Sequence, residues 1–72
     1  MTDAFYKKHN SNWFEGLEGT MTEDAKNQGG GVIKKGETVT IGGKSDGGLA
    51  VTSESGVYIR GISHRKVELK DK

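Results

Sequence analysis

Apolar residues in the second half of the chain recur at every second position: Val39 and Ile41, Leu49 and Val51, Val57 and Ile59, Val67 and Leu69. Successive side chains of an extended strand point to opposite faces, so each pair marks one buried face of a strand. No helical period competes in this region. Ser45-Asp46-Gly47 and Glu54-Ser55-Gly56 separate the pairs and have the Asp-Gly and Ser-Gly chemistry of tight hairpin turns. The pattern predicts strands over about 37–44, 48–54, 56–62 and 66–70, forming a three- to four-stranded antiparallel meander. A fainter alternation, with Phe14, Gly16, Glu18 and Thr20 on one side and Glu15, Leu17, Gly19 and Met21 on the other, predicts an opening strand. Thr20 and Glu23 have the spacing of a capping box. The polar stretch 22–27 nevertheless reads better as a loop leading into Gly29-Gly30-Gly31, and Gly42-Gly43 reads as a further turn. The chain has no proline, so glycine supplies the backbone freedom at every break.

Composition sharpens this picture. A chain of 72 residues holds a single core, built here from aliphatics such as Val39, Ile41, Val51, Ile59 and Val67. The domain expectation is a flexible N-terminal arm over 1–12 and a single small β domain over 13–72. With no cysteine there is neither a disulfide framework nor a thiolate zinc site, which fits a reducing, cytoplasmic setting. The longest apolar run, Gly56-Val57-Tyr58-Ile59, falls far short of the roughly 18 residues of a membrane span, and Thr2 and Asp3 follow Met1 in place of a basic leader. Neither secretion nor membrane insertion is expected. Net charge is +1, with residues 32–72 mildly basic at +3, eight Lys or Arg against five acids. That is sparser than the basic stripe of a dedicated nucleic-acid binder.

The element order is an opening strand from Glu15 to Glu23, a long loop, a three-stranded meander, the polar turn Ser63-His64-Arg65-Lys66 and a final strand at Val67-Glu68-Leu69. Over about residues 14–70 this order resembles the small SH3-like barrels. The resemblance implies a mostly β antiparallel barrel. It further implies roles such as ligand modules, KOW-type contacts to ribosomes or polymerases, and short phage-encoded regulators of host transcription. An OB-like or open-sheet arrangement stays open beside it.

Catalysis needs a nucleophile with a base, an acid–base pair or a metal cluster. The two histidines, His9 and His64, lie in the N-terminal arm and in a surface turn, and Ser63 points away from its neighbour His64 in an extended segment. Gly43-Lys44-Ser45 lacks the earlier glycine of a phosphate-binding loop, because Thr38 stands there, and no helix follows. Asp46 and Glu54 read as turn residues with no ligands at metal spacing. The expectation is a non-enzymatic chain with no cofactor and no metal.

Two features point instead to binding. Phe5, Tyr6, Trp13 and Phe14 crowd into the first fourteen residues, with Lys7 and Lys8 among the polar residues between the two pairs. Aromatics dominate interface hot spots, so this arm is a candidate docking segment, although Trp13 and Phe14 also suit a small core. The second feature is the outward parity of the meander: with Val57 and Ile59 inside, Tyr58 and Arg60 face out beside Thr40, Ala50 and Thr52, and His64, Arg65 and Lys66 follow to extend one patch. The leading expectation is a protein-binding regulatory module docking on a larger protein machine through Phe5, Tyr6, Lys7, Lys8, Trp13, Tyr58, Arg60, His64, Arg65 and Lys66. A nucleic-acid contact through Arg60, His64, Arg65, Lys66, Lys70 and Lys72, and a structural subunit whose strand edges a neighbour completes, are the alternatives.

Overall fold

The computed structural model describes residues 1–70. Two short helices, α1 (Asp3–Lys8) and α2 (Ser11–Phe14), precede β1 (Glu18–Met21) and a small ribbon of β2 (Ala25–Lys26) and β3 (Val32–Ile33). Then come β4 (Thr38–Ser45), β5 (Gly48–Ser53), β6 (Tyr58–Ile62), a 3₁₀ turn (His64–Lys66) and β7 (Val67–Leu69). The chain is mostly β, as the alternation predicts. Its main sheet is antiparallel in the order β6-β5-β4-β1-β7, so the meander forms one half, and the opening and closing strands add to its inner edge.

Local chemistry fixes the two hairpins. Ser45 pairs with Gly48, leaving Asp46 and Gly47 as a two-residue loop, with φ of 52° and 83°. Positive φ at both positions is the hairpin geometry that matches strand twist, and Asp-Gly tolerates it best. At the other end Ser53 closes the β5–β6 connection: its backbone carbonyl accepts from Gly56 N at 3.0 Å, and its hydroxyl accepts from Val57 N at 3.1 Å. This satisfied serine is the buried polar residue of the core.

The predicted inner face is buried. Ile59, Val51 and Ile41 lie side by side across β6, β5 and β4, and Val39, Leu49, Ile62 and Val67 join them with almost no exposure. Val57, Leu17 and Leu69 are half-buried at its margin. Gly42-Gly43 differs from its expected role. It lies inside β4 as a bulge, between the Ile41↔Val51 and Gly43↔Ala50 pairs, and a second irregularity falls between Leu49 and Val51 in the pairing with β6. Ala50, expected on the outward face beside Tyr58, is buried at 4% exposure. Its methyl is close to Gly42, and a side chain that short is shielded by the flanking strands even on the outer side.

The N-terminal third departs most from expectation. Residues 1–12 are not an arm separate from the β domain: α1 and α2 lie against the sheet, Phe14 is fully buried in the core, and Met1, Phe5 and Tyr6 pack partly buried against it. Both helices are capped by their own sequence. Thr2 Oγ1 accepts from Phe5 N at 3.2 Å, and Asn10 Oδ1 accepts from Trp13 N at 3.0 Å. Asp3 and the pair Lys7 and Lys8 sit at the ends of α1 that suit their charges. Phe14 therefore ends a helical turn and does not begin a strand. Thr22–Asn27 contains no helical turn, because Ala25 and Lys26 pair with Ile33 and Val32.

Candidate functional site

The outward face of β6 carries a row across the sheet: Tyr58 pairs with Thr52, Thr52 with Thr40, and Thr40 with Glu18. Tyr58 is 50% exposed, a large hydrophobic held open to solvent on a strand whose other face is core. Beside it lies a groove of about 570 Å³ lined by Lys26, Asn27, Gln28, Asp46, Tyr58, Ile59 and Arg60. Its far wall is the connection between β2 and β3. There Asn27 accepts from Gly31 N through Oδ1 at 2.7 Å, closing its own loop, and donates through Nδ2 to the Tyr58 carbonyl at 3.2 Å. At one end Arg60 Nε stands 3.6 Å from Asp46 Oδ2, both side chains 62% exposed. So loose a pair contributes little to stability and leaves most of the guanidinium free.

A second cluster forms where α1 meets the 3₁₀ turn. Asp3 accepts from Arg65 through both carboxylate oxygens, at 3.1 and 2.7 Å, and its Oδ1 stands 2.5 Å from His64 Nε2. The hydrogen bonds from Arg65, then from His64, hold the Asp3 carboxyl well below the usual carboxylate range, and the same contact raises Arg65. Tyr6 stacks on the His64 ring at 4.2 Å, its hydroxyl donates to Gly48 O at 3.2 Å, and Lys44 Nζ lies 4.3 Å over its ring. His9 stacks on Trp13 at 3.6 Å, with Phe5 edge-on to Trp13 at 5.6 Å. Trp13 is 43% exposed, so it is not the core residue that its neighbour Phe14 is. Ser63 Oγ accepts from Arg65 N and so caps the turn.

The expected docking residues thus divide into two groups. Tyr58 and Arg60 line the groove. His64 and Arg65 do not continue that patch: Asp3 holds both against α1, together with Tyr6 and, through the aromatic stack, Phe5 and Trp13. Lys7 and Lys8 are exposed on the last turn of α1. Lys66 is half-buried, and its carbonyl accepts from Thr22 N at 2.8 Å. The chain matches no known family, curated protein or solved structure.

Lys26, Asn27, Gln28 and Asp46 are groove residues that strand parity does not reveal. Asp46 is recognisable as a turn residue, but its nearness to Arg60 follows from the hairpin pairing. The other three reach β6 only by tertiary folding. Among the described residues no group of three or more His, Asp or Glu is placed to hold a metal ion, and no helix is long and apolar enough to cross a membrane.

Proposed function

We propose that this chain is a non-enzymatic binding and regulatory module of SH3-like architecture that docks on a larger protein partner through the groove beside Tyr58 and Arg60. The observation that carries the reading is Tyr58, half exposed on a rigid strand at the edge of a concave surface and beside a free guanidinium edge. An aromatic anchor next to an arginine is the composition of interface hot spots. The architectural part is supported by the strand order and by the 3₁₀ turn that leads into the last strand. A nucleic-acid role through the His64 and Arg65 turn is less favoured by the geometry, because Asp3 holds both of those side chains.

The test is capture from a nuclease-treated extract of the source cell, comparing the native chain with Tyr58→Ala/Arg60→Ala. The double variant is expected to lose at least roughly tenfold in affinity, since hot-spot truncations cost about 2 kcal/mol or more. Its thermal midpoint should stay within a few degrees, both side chains being exposed. Undiminished capture by this variant overturns the groove as the docking site, and capture that needs intact nucleic acid overturns the protein-partner reading.

A further inference from the structure

The groove is built along a strand edge. Tyr58, Ile59 and Arg60 are consecutive residues of β6, the outermost strand of the main sheet, paired with β5 on one side only. On the other side the Tyr58 carbonyl accepts from the side-chain amide of Asn27, in an exposed bond at 3.2 Å. A side-chain amide therefore stands where a backbone amide of an added strand would stand. Tyr58 and Arg60 lie two residues apart on one face, so alternate side chains of a second extended segment would meet them at about 7 Å intervals. The electrostatics select the segment's charge. Lys26 and Arg60 supply two positive charges to one negative charge on Asp46, and at 3.6 Å the Arg60–Asp46 approach is too long for a hydrogen bond, leaving guanidinium donors for a carboxylate.

Building on the groove as the docking site, we infer that its occupant is an extended acidic segment of the partner protein that adds along β6. In this arrangement a partner carboxylate sits between Arg60 and Lys26, and an apolar side chain two residues away covers the Tyr58 ring. Backbone pairing to β6 supplies affinity, while the two alternate side chains supply selectivity. Release of the Asn27 amide from Tyr58 is the local rearrangement that binding requires.

The probes are eight-residue peptides alternating Glu with Val, Gln with Val, or Lys with Val, and an oligothymidylate of similar length, each titrated into the full chain under amide NMR. The Glu peptide is expected to shift the amides of residues 58–62 and the Asn27 side-chain amide, and to slow hydrogen exchange along β6. The Gln peptide should bind roughly tenfold more weakly, the loss of one charge-assisted hydrogen bond. Lys26→Gln/Arg60→Gln should erase the difference between the two. Equal binding of the Glu and Lys peptides, or shifts confined to residues 3–14, overturns the inference. So does an oligothymidylate that moves residues 58–62 when the Glu peptide does not. If no peptide moves β6 while Tyr58→Ala/Arg60→Ala still abolishes partner capture, the strand-addition inference falls and the groove remains the docking site. If capture survives that variant, the groove itself falls.

Discussion

Asp3 shows how a single residue ties a local element to the rest of the molecule. It lies in the first turn of α1, where a carboxylate suits the helix dipole, and it also accepts from His64 and Arg65 more than sixty positions away. Because its folded-state pKa is depressed, its contribution is fully present above the ordinary carboxylate pKa of about 3.9 and is lost as pH falls through the folded value. Thermal unfolding followed from pH 6 to pH 2 should show a stability loss in the native chain that is shallower in Asp3→Asn. At neutral pH the variant should also be less sensitive to added salt, since the pair is exposed and screened. Identical acid profiles for the two chains would show that Asp3 contributes nothing to the docking of α1. Gly48 illustrates a different constraint. A Cβ there would stand only 2.2 Å from the Ile62 carbonyl oxygen, a backbone atom that no side-chain rearrangement moves. Gly48→Ala should therefore cost about 3 kcal/mol in chemical denaturation, the upper range for overpacking. The sequence places Gly48 at the start of a strand, just after the Asp46-Gly47 turn, but only the approach of β6 shows why an extra carbon is excluded.

At the scale of elements, strands were legible where helices were not. Alternation exposed β4, β5 and β6 because their aliphatics face one shared core. The helical signal of α1 and α2 lies in their caps: Thr2 and Asn10 each stand three residues before an aromatic, Phe5 and Trp13, from whose backbone N–H they accept. An aliphatic search passes over those caps, and helices this short draw their stability from docking more than from propensity. Phe5 and Tyr6 belong to that docking. Tyr6 is stacked on His64, bonded to Gly48 and covered by Lys44, and Phe5 packs against Trp13 and Phe14. Changing Phe5 and Tyr6 together to Ala should lower the unfolding free energy by about 2 kcal/mol or more in urea titration. An unchanged unfolding midpoint would mean that the N-terminal aromatics are not part of the folded unit.

For the whole molecule, the consequence is that the N-terminal helices and the sheet form one folding unit. Phe14 is entirely buried, and losing a core phenylalanine costs about 3–5 kcal/mol, comparable to the total stability of a small domain. A chain shortened to begin at residue 15 should lose the dispersed amide spectrum of a folded sheet, whereas one shortened to begin at residue 10 should keep it with a lower melting temperature. A well-dispersed spectrum from residue 15 onward would contradict the packing described for Phe14. Sequence alone determined the mostly β character, the hairpin at Asp46-Gly47, the inward set Val39, Ile41, Val51 and Ile59, and the outward placement of Tyr58 and Arg60. Each follows from an interaction a few residues long: the period of two along a strand, or the positive φ that Asp-Gly tolerates. Tertiary structure decided that His64 and Arg65 leave Arg60 for Asp3, that Ala50 is buried beside a bulge, and that Lys26, Asn27 and Gln28 come to face β6. Those placements rest on contacts between distant segments, and no local pattern encodes which side of a sheet a loop or helix will cover.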